Sequence, residues 1–445
     1  MSELRTTSRP APNSWWVGFV CGMATFVDTG VTTGVPIALV LFQAFSPGAP
    51  GLTANEVGLL TGALTAGVAI GSLLGGRLGD RWGRRTVFIA TMALILVGAV
   101  TPFIGVSLLS LVIGISLIGI GVGADLPVAL ATISEAAKDR NRGKILVFSN
   151  LLGGFGILLA VLLAINFGAS GPTGGLIIFG TFGAIALGVL LLRLTIPESA
   201  VWLAARDERR AGIHTVRAER GRLRDFGRAL YRRPFLTLIG YYTLAAMATS
   251  VAGSFGTFVA VNVTGASIAE YNSWTILAMP AAIVGALWFM AVVDTKLRMS
   301  YYVIGAIGVV VANLLPVFFG FSLPALIVST VATVFFGAFC FETIMKVWTQ
   351  ESFPTMLRAT AQGTIYAVSR FATAGLNVVT PALVVLNPGA LYIGVSILAA
   401  AGFLVGWLGF RRNARNEFDL ESELVTAPTV AGSAARAADQ PNPAH

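Results

Sequence analysis

Gly76-Arg77-Leu78-Gly79-Asp80-Arg81-Trp82-Gly83-Arg84-Arg85 separates an apolar run at 56–76 from another at 86–106. Each run is roughly twenty residues long, enough to cross the hydrocarbon of a bilayer as a helix. Runs of this kind recur along the chain, at 15–42, 56–76, 86–106, 108–134, 144–167, 173–195, 235–262, 272–294, 300–321, 324–349, 358–386 and 389–410. Hydrophobic residues make up 55% of the 445 and charged residues 11%, the latter about half the share in a soluble globular protein. Mean hydropathy is +0.80. The alternating ten-residue strands of an outer-membrane barrel do not occur. The expected fold is an all-α membrane protein of twelve transmembrane helices.

Twelve spans put both ends on one side, and the basic residues say which. Lys and Arg are absent from every loop on one side, at 43–55, 107, 168–172, 263–271, 322–323 and 387–388. They collect in the tails and in the loops of the other side, the charge run at Gly76–Arg85 among them. By the positive-inside rule that side is cytoplasmic, an N-in/C-in orientation in a bacterial inner membrane. The longest inside loop, 196–234, is rich in arginine and reads as a headgroup-facing linker between two halves. The expected organisation is a cytoplasmic tail at 1–14, a six-helix bundle at 15–195, the linker at 196–234, a second six-helix bundle at 235–410, and a disordered cytoplasmic tail at 411–445. The net charge of +9 lies in these loops and not in a basic soluble domain, which argues against nucleic acid. The first apolar run is too long for a signal peptide. The two cysteines, Cys21 and Cys340, lie in predicted spans of opposite halves, with neither metal-ligand nor redox spacing.

The halves repeat one another in their charges. Asp80 and Arg84 after helix two are matched by Asp294 and Arg298 after helix eight, each pair four apart. Glu135 and Arg142 after helix four are matched by Glu351 and Arg358 after helix ten, each pair seven apart. The displacement of 214 to 216 residues is about half the chain, the mark of a duplicated six-helix unit with a substrate site at its midplane.

The Gly76–Arg85 run resembles the loop 2–3 motif of the major facilitator superfamily. Four more segments are similar to its sugar-porter-like branch: Asp28-Thr29-Gly30 in helix one, Glu135 with Arg142-Gly143, Pro197-Glu198-Ser199 after helix six, and the stretch from Gln350 and Glu351 through Pro354 to Arg358. Gly123-Ala124-Asp125-Leu126-Pro127 in helix four looks closest to bacterial metabolite:proton and phosphate:proton symporters. The resemblance implies a major facilitator fold and alternating-access transport. It also implies that Asp80, Arg84, Arg85, Glu135, Arg142, Glu198, Asp294, Arg298, Glu351 and Arg358 form gate locks, pairing across the bundles when the inside is closed. The blander reading is that they cap helices and set topology, since surface ion pairs contribute only about 0–1 kcal/mol each.

An ionisable group at membrane depth costs on the order of 3 kcal/mol or more, which makes it a candidate for function. Asp28, Asp125, Glu342, Lys346 and Arg370 qualify. Asp28 lies midway along helix one among glycines and threonines, Thr32 included. Desolvation favours the neutral form of a carboxyl group, which suits reversible protonation, and the matching acid in sugar porters is the proton-coupling residue; the alternative is a fixed partner of a buried cation. Asp125, before Pro127, is expected to be a second proton carrier or a substrate ligand. Glu342 and Lys346 stand i,i+4 on helix ten, so they either pair with each other or bind substrate between them. Arg370, midway along helix eleven, has no acid within a turn; its partner is an acid on another helix or a substrate anion. Asn150, Trp348, Tyr366 and Asn377 are candidate cavity residues, or else packing elements.

Several alternatives fall away. Helix seven reads Tyr241-Tyr242-Thr243 where sugar porters carry paired glutamines, against a hexose substrate. Residues 151–161, LLGGFGILLAV, have the glycines of the antiporter motif without its proline, against drug efflux. There is no nucleotide-binding motif, and the histidines, His214 and His445, lie outside the spans. The expected function is proton-coupled symport of a small polar metabolite, a sugar, polyol, sugar acid or organic acid, by a monomer needing no cofactor or metal and having substrate, protons and the bilayer as its partners. An exporter and a nutrient sensor are the alternatives, and an enzyme is disfavoured because the buried charges form no nucleophile and base constellation.

Overall fold

The computed structural model describes residues 13–43, 51–105, 107–136, 139–198, 203, 229–293, 295–353 and 355–411. Among these every regular element is helical. The first half contains α1 (Ser14–Leu41), α2 (Ala54–Trp82), α3 (Arg84–Ile104), α4 (Leu108–Ala136), α5 (Asp139–Phe167) and α6 (Pro172–Leu194). The second contains α7 (Ala229–Val259), α8a (Ile268–Thr275), α8b (Ala278–Val292), α9 (Arg298–Phe318), α10a (Leu323–Cys340), α10b (Glu342–Ser352), α11 (Thr355–Leu386) and α12 (Pro388–Phe410). Eleven stretches are long and apolar enough to cross a membrane, and α5 contributes a shorter apolar segment, Leu151–Phe167. Helices satisfy their own backbone groups, as hydrocarbon requires.

The sequence expectation of twelve spans holds, with two corrections. Helices eight and ten are each interrupted, the first at 276–277 and the second at Phe341, whose φ of −110° and ψ of −116° end α10a. Helix seven begins at Ala229, earlier than the expected 235, and closes in a π-helical turn, Ala260–Thr264, ended by Gly265 in the left-handed region at φ 71°. Most of both tails and of the linker between the halves lies outside the described residues, so the expected disorder at 411–445 does too beyond Arg411.

The opening charge run forms a tight corner. Gly83, at φ 99°, is the single non-helical residue between α2 and α3, and only glycine adopts that backbone without strain. The end of the molecule where this corner lies is here called the basic end, and the opposite one the far end.

Within the first half α2 packs on α4, α1 on α5, and α3 on α4 and α6; within the second, α9 packs on α10a and α12, and α7 on α11 and α12. The halves meet chiefly through α2 with α11, α5 with α8a, and α1 with α7. These junctions gather at the far end. A Cβ on Gly58 of α2 would run into the Val378 carbonyl of α11, and one on Gly62 would meet the Val378 side chain and, at 3.1 Å, the Ala374 carbonyl. At the end of α5, Gly168 abuts Ile268 and Ala269 of α8a, and Asn262 reaches Gln43 at 3.5 Å. A shallow far-end cleft of about 530 Å³ remains, lined in part by Gln43, Leu52, Gly171 and Asn262.

Because backbone lies against backbone there, Gly58→Leu is expected to hold the far end open. A cysteine substituted at Gln43 should then be alkylated several-fold faster in detergent than in the unmodified background, where Cys21 and Cys340 are buried. Unchanged alkylation together with unchanged transport would mean that the α2–α11 contact does not close that end.

Candidate substrate and proton site

Asp28 is carried midway along α1 by close packing against α5. Thr29 donates to the Gly153 carbonyl of α5 at 2.6 Å and Thr25 bonds Ser149 at 3.0 Å, so the first-half helices hold this stretch rigidly. Thr32 turns its hydroxyl back to the Asp28 carbonyl at 2.7 Å. The Asp28 side chain is 9% exposed and its Oδ1 is buried without a hydrogen-bond partner. Of the charges around it, Arg370 in the other half acts most strongly, ahead of Glu342 and Asp125.

The opposite wall is built on the break in helix ten. Ending α10a at Cys340 orphans carbonyl groups that a continuous helix would pair, and the Tyr241 hydroxyl of α7 donates to both the Cys340 and the Phe341 oxygens, the latter at 2.8 Å. The restart places Glu342 in the first turn of α10b, where the helix dipole favours a carboxylate. Glu342 accepts from Lys346 Nζ at 2.8 Å and from the Tyr366 hydroxyl of α11 at 2.7 Å. Tyr242 stacks on Phe341 at 5.3 Å and meets Tyr366 edge-on at 5.2 Å. One helical turn past Tyr366 stands Arg370, which makes no hydrogen bond or ion pair with any described residue; Asp28 is the charged side chain acting on it most strongly, followed by Glu342.

Glu342 lies inside the span Leu323–Thr349 and Lys346 one turn further on, near its basic end, and their side chains are 44% and 39% exposed. Charges at that depth do not face lipid, so they border water between the halves. With the far end closed by glycine contacts, that water enters from the basic end. The cavity thus sets Asp28 of the first half against Arg370, Glu342, Lys346 and Tyr366 of the second.

The other expected site residues are placed differently. Asp125 does not face this cavity. It is 2% exposed, paired with Arg193 of α6, whose Nη2 lies 2.7 Å from Oδ2 and which is wholly buried, and it accepts from Thr91 of α3 at 2.9 Å. Arg193 also lies over the Phe88 ring, 4.3 Å from its centroid. Asp125 is thus an ion-pair partner inside the first half and does not line the cavity. For Trp348 the packing alternative fits: it is 1% exposed, stacked on Phe410 at 4.3 Å and packed against Tyr241 and Tyr302. Asn377 is engaged on both sides of its amide, donating to Thr65 of α2 at 3.0 Å and accepting from Ser250 of α7 at 3.3 Å, so it ties the halves together. The Asn150 side chain lies outside the described set. Tyr241, Arg193 and Thr91 were missed as functional neighbours. Arg193, a lone charge in the last turn of α6, was the one signal that could have found a partner for Asp125.

The gate residues that are described pair inside a half. Glu198 accepts from the backbone N–H of Arg84 at 2.8 Å and of Arg85 at 3.3 Å, capping α3, while Arg85 reaches the Leu194 carbonyl at 3.2 Å. Arg298 holds Glu351 with two bonds, of 2.6 and 3.2 Å. These contacts of Glu198, Arg85, Arg298 and Glu351 each join elements of one half. Asp294 and the side chains of Asp80, Glu135, Arg142 and Arg358 lie outside the described set.

A two-half helical bundle with a charged midplane cavity is the architecture of a transporter, and the sequence profile of the Major Facilitator Superfamily matches residues 17–374. The chain belongs to the major facilitator superfamily. As a member it is a multi-pass membrane transporter and not an enzyme. It is 28% identical over 419 residues to the minor myo-inositol transporter IolF of Bacillus subtilis strain 168, covering 91% of this chain and 93% of that one. It is 26% identical over 307 residues to a putative niacin/nicotinamide transporter, NiaP, of the same organism, covering 65% and 69%. Its fold matches a crystal structure of a D-xylose-proton symporter with a TM-score of 0.70 at 21% identity, over 88% of this chain and 96% of that one. An inward-open xylose transporter of E. coli matches with a TM-score of 0.70 at 20% identity, over 92% and 98%.

Proposed function

We propose that this major facilitator is a proton-coupled symporter of a small polar metabolite, acting as a monomer by alternating access, with its basic end in the cytoplasm. The observation that carries the reading is the Asp28 carboxylate: buried, its Oδ1 without a hydrogen-bond partner, with Arg370 of the other half the charge acting on it most strongly. A charged Asp28 and Arg370 attract, drawing α1 toward α11. A proton on Asp28 removes that attraction at the contact between halves, which is where an alternating-access cycle needs a switch. The Lys and Arg distribution supports the orientation, and with it the captured conformation is open to the cytoplasm. Similarity to sugar, inositol and niacin transporters supports a small polar substrate and leaves its charge open.

The test is uptake into proteoliposomes of a panel of sugars, polyols, sugar acids and organic acids, with and without an inward proton gradient. At least one compound is expected to accumulate above its external concentration only with the gradient. Uptake of the transported compound that ignores the gradient would overturn the coupling.

A further inference from the structure

Among the described residues, the charges set around this cavity are Asp28, Glu342, Lys346 and Arg370. Glu342 is neutralised by Lys346 at 2.8 Å, and Asp125, behind the wall, by Arg193. That leaves Asp28 and Arg370, one acid and one base, neither with a hydrogen bond. When Asp28 carries a proton, the surroundings hold one uncompensated positive charge, the Arg370 guanidinium, at membrane depth. A group in that state is costly, and the ligand that relieves it is a single negative charge. Guanidinium offers two parallel N–H donors that match a carboxylate. Next to it the Tyr242–Phe341 stack and Tyr366 supply a flat aromatic wall suited to the face of a ring or the C–H face of a small molecule.

We infer that the substrate is a monoanion, a small carboxylate gripped by Arg370, and that it moves with one proton on Asp28 so that the cycle carries no net charge. This rests on the symport reading and names its substrate class. The anion and the ionised Asp28 compete for the same guanidinium. Binding of the carboxylate therefore favours the protonated acid, and loss of the proton to the cytoplasm returns Arg370 to Asp28 and expels the anion. The other acids acting on Asp28, Glu342 and Asp125, are already paired with Lys346 and with Arg193, so one proton per substrate is the stoichiometry.

The experiment uses the full chain in proteoliposomes with matched probes: nicotinate and gluconate as carboxylates, nicotinamide and myo-inositol as uncharged counterparts. Counterflow at equal concentrations reports recognition without any gradient. A carboxylate is expected to exchange at least tenfold faster than the uncharged compounds. Its net uptake should follow an imposed pH gradient and stay unchanged when valinomycin and potassium impose a membrane potential. Arg370→Gln should lower its exchange at least tenfold while the thermal unfolding temperature holds, and Arg370→Lys should retain a measurable part. If only an uncharged compound is carried with protons, and faster under an inside-negative potential, the anion inference fails and symport stands. If a carboxylate exchanges but ignores the pH gradient, the symport reading fails while recognition stands. If no carboxylate exchanges, the inference fails whatever the others do.

Discussion

Asp28→Asn is expected to abolish uphill accumulation while leaving exchange of substrate across the membrane in place. Asparagine keeps the shape of the protonated acid and cannot release a proton, so the variant is held in the loaded half of the cycle. Net uptake driven by a proton gradient should fall at least tenfold and the final concentration ratio should approach one. Counterflow, which needs no proton release, should persist. Asp28→Glu, still titratable but a methylene longer beside the tightly packed α1–α5 contact, should retain part of the accumulation. The measurement is radiolabelled uptake and counterflow in the same vesicle preparation, and accumulation by Asp28→Asn equal to that of the unmodified protein would remove Asp28 from the proton path.

The second large effect is on stability and separates the two aspartates. Arg193→Met leaves the Asp125 carboxylate buried with Thr91 as its remaining partner. Removing one member of a buried ion pair costs about 3–5 kcal/mol, which should appear as a marked fall in the thermal unfolding temperature of the solubilised protein. Replacing both members, Arg193→Met with Asp125→Leu, should recover most of the loss, since a well-packed apolar pair is often as stable as the ion pair it replaces. A single Arg193→Met variant that unfolds at the original temperature would show that Asp125 is not held charged by this arginine.

Much of this was legible in the residues. Apolar length gave the spans, the Gly76–Arg85 run and its displaced echo gave the two halves, and membrane-depth charges pointed to Asp28, Glu342, Lys346 and Arg370, which do meet in one place. What the sequence hid was orientation around each helix axis. Asp125 and Asp28 look alike as lone acids in apolar runs, but one faces α6 and the other the cavity, and only packing decides. Trp348 was indistinguishable from a cavity aromatic because periodicity is uninformative in a helix that is apolar on most faces. The interruption at Phe341 has no proline or glycine at the break; it is held by a tyrosine hydroxyl from 99 residues away, a long-range cause that no local pattern records.

Asn377 gives the closed end a thermodynamic character. Its amide is 1% exposed and joined to Thr65 across the interface, while Thr373 and Ser369, one and two turns before it on the same face of α11, have hydroxyls with no partner. Drawing α2 away from α11 strips the amide of its bond to Thr65 in a medium where a bare polar group is costly. Solvent must enter to take that place. Opening of the far end is therefore also a wetting transition, with a defined uptake of water molecules. The balance between the two faces of the transporter should then shift with osmotic pressure, an excluded solute favouring the dry, closed form.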